Sequence, residues 1–252
     1  MTGLSFLVSI LDTKEVSFFL EKKFDSHYTP ESVLFALEQI VAATPELQES
    51  FEQVTVIYAT DVYSLVPASL FHETKASDYL KFNSKILAND FIANDVIENH
   101  EMVVVYVPYV NINNYLFDRF GSFQYYHATS ILLKSILDVE KHTSGYKVFV
   151  HVLDNTFDLT VLQDGKLQLC NSYPYKTTED FLYYILFCME QLKLNPNSVE
   201  TRVCGMITET DAIFEILYKY IRNVSFLQKD SQVKASSTYE GMQQHFLLNH
   251  HL

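Results

Sequence analysis

Two aspartates stand where a carboxylate could meet a divalent cation: Asp12 in Leu11-Asp12-Thr13-Lys14 and Asp154 in Leu153-Asp154-Asn155-Thr156. Each falls between two alternating apolar runs, so each is expected at the tip of a turn, where carboxylate oxygens can ligate Mg²⁺. The competing reading is structural, because aspartate in a turn commonly accepts from nearby backbone N–H groups. Paired carboxylates would also suit a two-metal nuclease. Against that stands a net charge of −13, from 18 basic and 31 acidic residues, with no basic stripe to attract a phosphate backbone.

The nine histidines (His27, His72, His100, His127, His142, His151, His245, His250 and His251) contain no H-x-x-x-H pair, so no metal site is expected from spacing. His127 follows Tyr125-Tyr126 just before a helical pattern and reads as a helix-start residue or a site residue. Cys170, Cys188 and Cys204 are odd in number, lack C-x-x-C spacing and lie in apolar stretches, which predicts buried, unreactive thiols. Glycine is scarce, six in 252 residues or about 2.4% against a usual 7% or so. That weakens any chemistry needing a glycine-rich phosphate loop.

These residues must be carried by elements, and the C-terminal half shows them plainly. Residues 146–153, 157–163 and 166–173 alternate as strands, and Asp164-Gly165 between the last two is a two-residue hairpin signal. Thr177, followed by Glu179 and Asp180, caps a helix that runs to about Leu194. A strand at 199–206, a helix capped by Thr208 and a strand at 224–227 complete a β-β-β-α-β-α-β order. The N-terminal half begins alike: strands at 4–11 and 15–22, a helix opened by Thr29-Pro30, and a strand at 53–59. Residues 67–84 are helical in pattern, 90–98 extended, 102–107 a strand, 109–119 a helix, 122–126 a strand and 127–141 a helix. The five-residue echo of Ala88-Asn89-Asp90-Phe91-Ile92 in Ala93-Asn94-Asp95-Val96-Ile97 fits neither period and reads as coincidence in a bent connection.

The chain therefore reads as a duplicated unit, with Ile10-Leu11-Asp12-Thr13 matching Val152-Leu153-Asp154-Asn155. Expected boundaries are 1–126 for a first subdomain with an insertion at about 63–110, a connecting helix at 127–145, a second subdomain at 146–227 and a tail at 228–252. The tail offers Tyr239, Met242, Phe246 and Leu247 at near-helical spacing, which suits a returning helix.

Tandem units that each open on a hairpin with an aspartate at its turn resemble the actin-like ATPase superfamily. More narrowly, Tyr63-Ser64-Leu65-Val66-Pro67 with Leu70-Phe71, and the run from Val152 into the Thr177 helix, resemble an uncharacterised bacterial family of degenerate actin-like proteins, similar to PilM/FtsA-type scaffolds. The resemblance implies an α/β (α+β) fold of two tandem ribonuclease-H-like subdomains around a cleft. It also implies that a retained nucleotide site would use Asp12, Asp154, Thr156 and Gly205. The superfamily's phosphate loops read Asp-x-Gly-x-Thr/Ser. Here Lys14 and Val16 stand at the glycine and hydroxyl positions of the first loop, and Thr156 and Asp158 at those of the second. Its adenosine motif is a glycine pair, where this chain has Gly205-Met206.

All three departures block close backbone approach to phosphate or adenine. The expectation is a non-catalytic scaffold or protein-interaction protein with no cofactor. The alternative is a nucleotide-binding protein or weak ATPase that uses ATP and Mg²⁺ through altered loops. A protein partner or homodimer is expected, through a Tyr- and Phe-rich patch in the insertion that includes Tyr79, Phe82, Phe91 and Tyr109. No nucleic acid is expected as partner. The start Met1-Thr2-Gly3-Leu4 lacks a basic leader, and the longest apolar run, Phe181–Met189, cannot span a bilayer, so no membrane insertion and a cytoplasmic location are expected.

Overall fold

The computed structural model describes residues 2–25, 28–81, 85–87, 90–98, 100–227 and 245–250. The chain divides into two compact units, Met1–Lys134 and Ser135–Leu252.

The first unit opens with an antiparallel hairpin, β1 (Gly3–Ile10) and β2 (Glu15–Lys23), bulged between Val8 and Ser9. Helix α1 (Pro30–Ala43) starts where proline at its first position needs no N–H and Thr29 Oγ1 accepts from Ser32 N at 3.3 Å. Its Val33, Leu37 and Val41 meet Ile112 and Leu116 of α3 (Val110–Phe120). Two short strands, β3 (Thr55–Tyr58) and β7 (Gln124–His127), pair in parallel. A separate antiparallel sheet has the order β4 (Tyr63–Pro67), β6 (Met102–Tyr106), β5 (Ala93–Ile97). Val66, Val103 and Val105 of this sheet form a small core with Leu80 of α2 (Ala76–Lys81).

The helical pattern expected over 67–84 is corrected here. Tyr63–Pro67 is strand, single 3₁₀ turns follow at Ala68–Leu70 and Glu73–Lys75, and only Ala76–Lys81 is α-helix. Residues 82–84 lie outside the described residues. Proline at the end of β4 is tolerated because β4 is an edge strand.

The second unit is built on one mixed sheet in the order β10-β9-β8-β11-β12. Its strands are β8 (Tyr146–Val152), β9 (Thr156–Gln163), β10 (Lys166–Pro174), β11 (Glu200–Gly205) and β12 (Asn223–Phe226). The first three form the expected antiparallel meander, and β11 and β12 add in parallel. Asp164 and Gly165 both take positive φ (51° and 72°), the type I′ geometry that matches strand twist. Helix α5 (Thr178–Gln191) carries a complete capping box between Thr177 and Asp180, and α6 (Ala212–Tyr220) packs beside it. Their apolar faces close on Val148, Val150, Phe157, Leu159 and Val203.

Two helix ends differ from expectation. Helix α5 stops at Gln191 rather than Leu194, because Lys193 turns left-handed (φ 56°) while Leu194 N donates to Met189 O at 2.8 Å. The cap of α6 is Asp211, not Thr208; Thr208 N instead donates to Asp211 Oδ2 at 2.6 Å.

Helix α4 (Ala128–Glu140) follows β7, and its last residue anchors a buried ion network in the second unit. Glu140, 1% exposed, accepts from Lys147 Nζ at 2.7 Å and Arg202 Nη1 at 2.6 Å, while Glu200 also accepts from Arg202. Of the expected tail helix, Phe246–His250 forms α7; Tyr239 and Met242 lie outside the described residues.

Candidate functional site

The residues nominated for nucleotide chemistry sit in two tight turns and at one close strand contact. Asp12 is exposed on the turn between β1 and β2. That turn is closed by Lys14 N donating to Ile10 O at 2.8 Å. Lys14 takes φ 54°, so the left-handed conformation a glycine would supply is present but carries a long side chain. Asp154, Thr156 and Gly205 gather at one end of the second unit's sheet, whereas Asp12 belongs to the first unit.

The turn carrying Asp154 is only two residues long. Leu153 N donates to Thr156 O at 2.9 Å, Tyr175 N donates to Asn155 O at 3.0 Å, and the Tyr175 hydroxyl donates to Leu153 O at 2.9 Å. These bonds engage three carbonyls and one N–H, that of Leu153, and pin the turn as a tight hairpin. A phosphate loop is instead an open run of successive N–H groups aimed at the anion. Burial first, and then the carboxylates of Asp154 and Asp211, push the Tyr175 hydroxyl above its ordinary range.

Gly205 has a packing reason. At φ +90° its Cα lies so close to β8 that a Cβ would come within 2.2 Å of Val152 O and 3.0 Å of His151 Cδ2. Met206 N donates to Val152 O at 2.8 Å across this contact.

Beside it, three residues directly opposite one another on β8, β9 and β10 form a polar row: His151 and Asp158, both buried, and the half-buried Ser172. His151 Nδ1 lies 3.0 Å from Asp158 Oδ2, and Ser172 Oγ donates to Asp158 Oδ1 at 2.5 Å. The carboxylate sits in the middle, so the serine bonds the acid rather than the imidazole. That order does not activate a nucleophile. Phe246 of α7 rests against the His151 ring, 5.9 Å between centroids.

The first unit holds a second buried carboxylate, at a position the sequence reading set aside as coincidence. Asp95 on β5 is 9% exposed and accepts from three donors: Tyr106 Oη at 3.0 Å, Ser130 Oγ at 2.6 Å and His127 N at 2.7 Å. Its burial outweighs these bonds and raises its pKa. The Tyr106 hydroxyl is raised too, by burial and then by the Asp95 charge. His127 is buried between Tyr63 and Tyr106. Its Nδ1 accepts from Thr129 N at 3.2 Å, so Nε2 carries the proton and donates to Thr60 O at 3.0 Å. This neutral ring caps the start of α4, the helix-start role among the two readings of His127. A cavity of about 450 Å³ opens between β5 and β7, lined among others by Glu73, Phe91, Asn94, Asp95, Tyr125 and Tyr126.

The aromatic patch expected in the insertion needs correction. Tyr79 donates its hydroxyl to Leu70 O at 2.6 Å and packs on the small core, and Tyr109 sits edge-on to Tyr58 in the α1–α3 core. Phe91 is half exposed, with Leu70, Leu87 and Val96 exposed in the same region; Phe82 lies outside the described residues. Exposed rings also occur on α5 and α6, where Tyr183 stacks on Phe187 and Tyr218 on Phe214. Cys188 and Cys204 are buried and Cys170 half-buried; burial pushes the Cys170 thiol up to about 12 and Cys204 also upward. Among the described residues no cluster of three or more histidine, cysteine or carboxylate side chains is placed to hold a metal ion. No described helix is long and apolar enough to cross a membrane.

The arrangement of the sheets and helices is that of an actin-like ATPase fold. A Bacteroides thetaiotaomicron protein of actin-like ATPase fold and unknown function superposes with a TM-score of 0.78 at 20% identity, over 90% of this chain and 87% of that one. PilM in the PilM–PilN type IV pilus biogenesis complex superposes with a TM-score of 0.60 at 9% identity, over 98% of this chain and 94% of that one. The family itself is shown by sequence: residues 1–224 match the family described as "Protein of unknown function (DUF3822)", and the chain belongs to it. None of the curated proteins searched matches the chain.

Proposed function

We infer that this actin-like chain is a non-catalytic scaffold that works by binding another protein. The observation that carries the reading is the Asp154 turn, which Leu153 N on Thr156 O and the Tyr175 N–H and hydroxyl on Asn155 O and Leu153 O pin as a two-residue hairpin turn rather than an open phosphate loop. The side chains of Lys14 and Thr156 stand where the superfamily places glycine, and the closeness of Gly205 to Val152 is accounted for by strand packing. That PilM is found in complex with PilN supports a protein partner for a chain of this fold. In the same reading, 1–126 and 146–227 are the two ribonuclease-H-like subdomains, 127–145 connects them, and 63–110 is the insertion that carries partner contacts.

The test is steady-state ATP hydrolysis with Mg²⁺ by the full chain. The expected result is turnover below about 0.1 per second, under the ordinary enzyme range. Faster turnover that disappears in Asp154→Ala would overturn the reading and establish the altered-loop ATPase.

A further inference from the structure

We propose that the cavity between β5 and β7 receives a lysine or arginine side chain from an extended segment of the partner. This rests on the reading of the chain as a protein-binding scaffold and names where and by what chemistry the partner is held. Three kinds of observation converge on it.

The first is charge. Glu73 and Asp95 both line the cavity, and among the described residues no lysine, arginine or histidine does. Among the described residues no ion pair reaches Asp95. Its three neutral donors hold it in place without cancelling its charge. Burial raises its pKa, the sign of a carboxylate lacking a counter-ion. A cation entering the cavity would supply one, and the net charge of −13 would speed its arrival.

The second is ring chemistry. Phe91, Tyr125 and Tyr126 line the same space, and aromatic faces attract ammonium and guanidinium groups while covering their alkyl stems. A volume of about 450 Å³ falls in the range of pockets that enclose a small group.

The third is backbone. β5 is the edge of the β4-β6-β5 sheet, and β7 pairs only with β3 among the described residues. The two strands are tied by the Asp95 carboxylate on His127 N rather than by a shared ladder. An exposed strand edge can pair with an extended segment, and Val96 on β5 is exposed at 62% beside it.

The experiment is affinity selection of random-sequence linear peptides on the full chain, with binding of the selected peptides measured to wild type, Val96→Arg and Glu73→Gln. Both positions are exposed, so both variants are expected to keep the fold, with circular dichroism as the check. The expected result is a selected lysine or arginine whose replacement by glutamine weakens binding at least tenfold. Val96→Arg abolishes binding and Glu73→Gln weakens it several-fold. Peptides that need Val96 but carry no required basic residue would overturn the cation assignment and leave the scaffold reading standing. Selected peptides indifferent to Val96→Arg, or no selected peptide at all, would overturn this site. Failure of the scaffold reading itself would show separately, as ATP turnover dependent on Asp154.

Discussion

Replacing Gly205 by alanine separates a glycine kept for packing from one kept for a nucleotide. Two costs add. An L-residue held in the left-handed half of backbone space loses about 1–2 kcal/mol. The added Cβ would also lie 2.2 Å from Val152 O and 3.0 Å from Val152 N, so β8 and β11 must part at their ends. That movement breaks the 2.8 Å bond from Met206 N to Val152 O, worth about 0.5–1.5 kcal/mol. The expected loss is about 3 kcal/mol, or about 6–12 °C in Tm for a chain of this size. Gly145→Ala is the control, because Gly145 also has positive φ (78°) but a Cβ there meets nothing within 4 Å. It should cost only the backbone term, about 1–2 kcal/mol. Thermal and urea unfolding followed by circular dichroism give both values. A Gly205→Ala variant no less stable than Gly145→Ala would refute the packing argument.

Asp95→Asn should flatten the pH dependence of stability. Because folding raises this carboxyl's pKa, its contribution is fully present below the unfolded value of about 3.9 and is lost as pH rises through the folded value. Urea unfolding across mildly acidic to neutral pH checks this; equal slopes in both proteins would contradict it. Glu140→Ala should cost about 3 kcal/mol in urea unfolding, because it strips Lys147 and Arg202 of a buried partner while leaving Glu200 to hold them. Thr177→Ala should cost about 1 kcal/mol by breaking the α5 capping box, with Thr177→Ser restoring most of it.

What was legible in the sequence was local. Asp164-Gly165 announces its hairpin because both residues tolerate the positive φ that a type I′ turn imposes. Thr177 and Asp180 announce α5 because the capping box lies within four residues. The stop of α5 was hidden because a lysine, not a glycine, adopts the left-handed residue that ends it. Asp95 was set aside because its partners Tyr106, His127 and Ser130 lie 11 to 35 residues away, where periodicity carries no signal. A buried acid in a strand looks like one more polar residue in an irregular stretch. The cavity beside it exists only once β5 and β7 are brought together, although the extended pattern over 90–98 did mark the strand that builds it.

Whether the chain acts through protein contact or through nucleotide is tested most directly by thermal unfolding of the full chain with ATP and Mg²⁺ at millimolar concentration. The account predicts an unchanged Tm, in wild type and in Asp154→Ala alike. A retained nucleotide site filled to about 100 times its Kd would add about 2.7 kcal/mol. A rise in Tm of that size, abolished by Asp154→Ala, would contradict it.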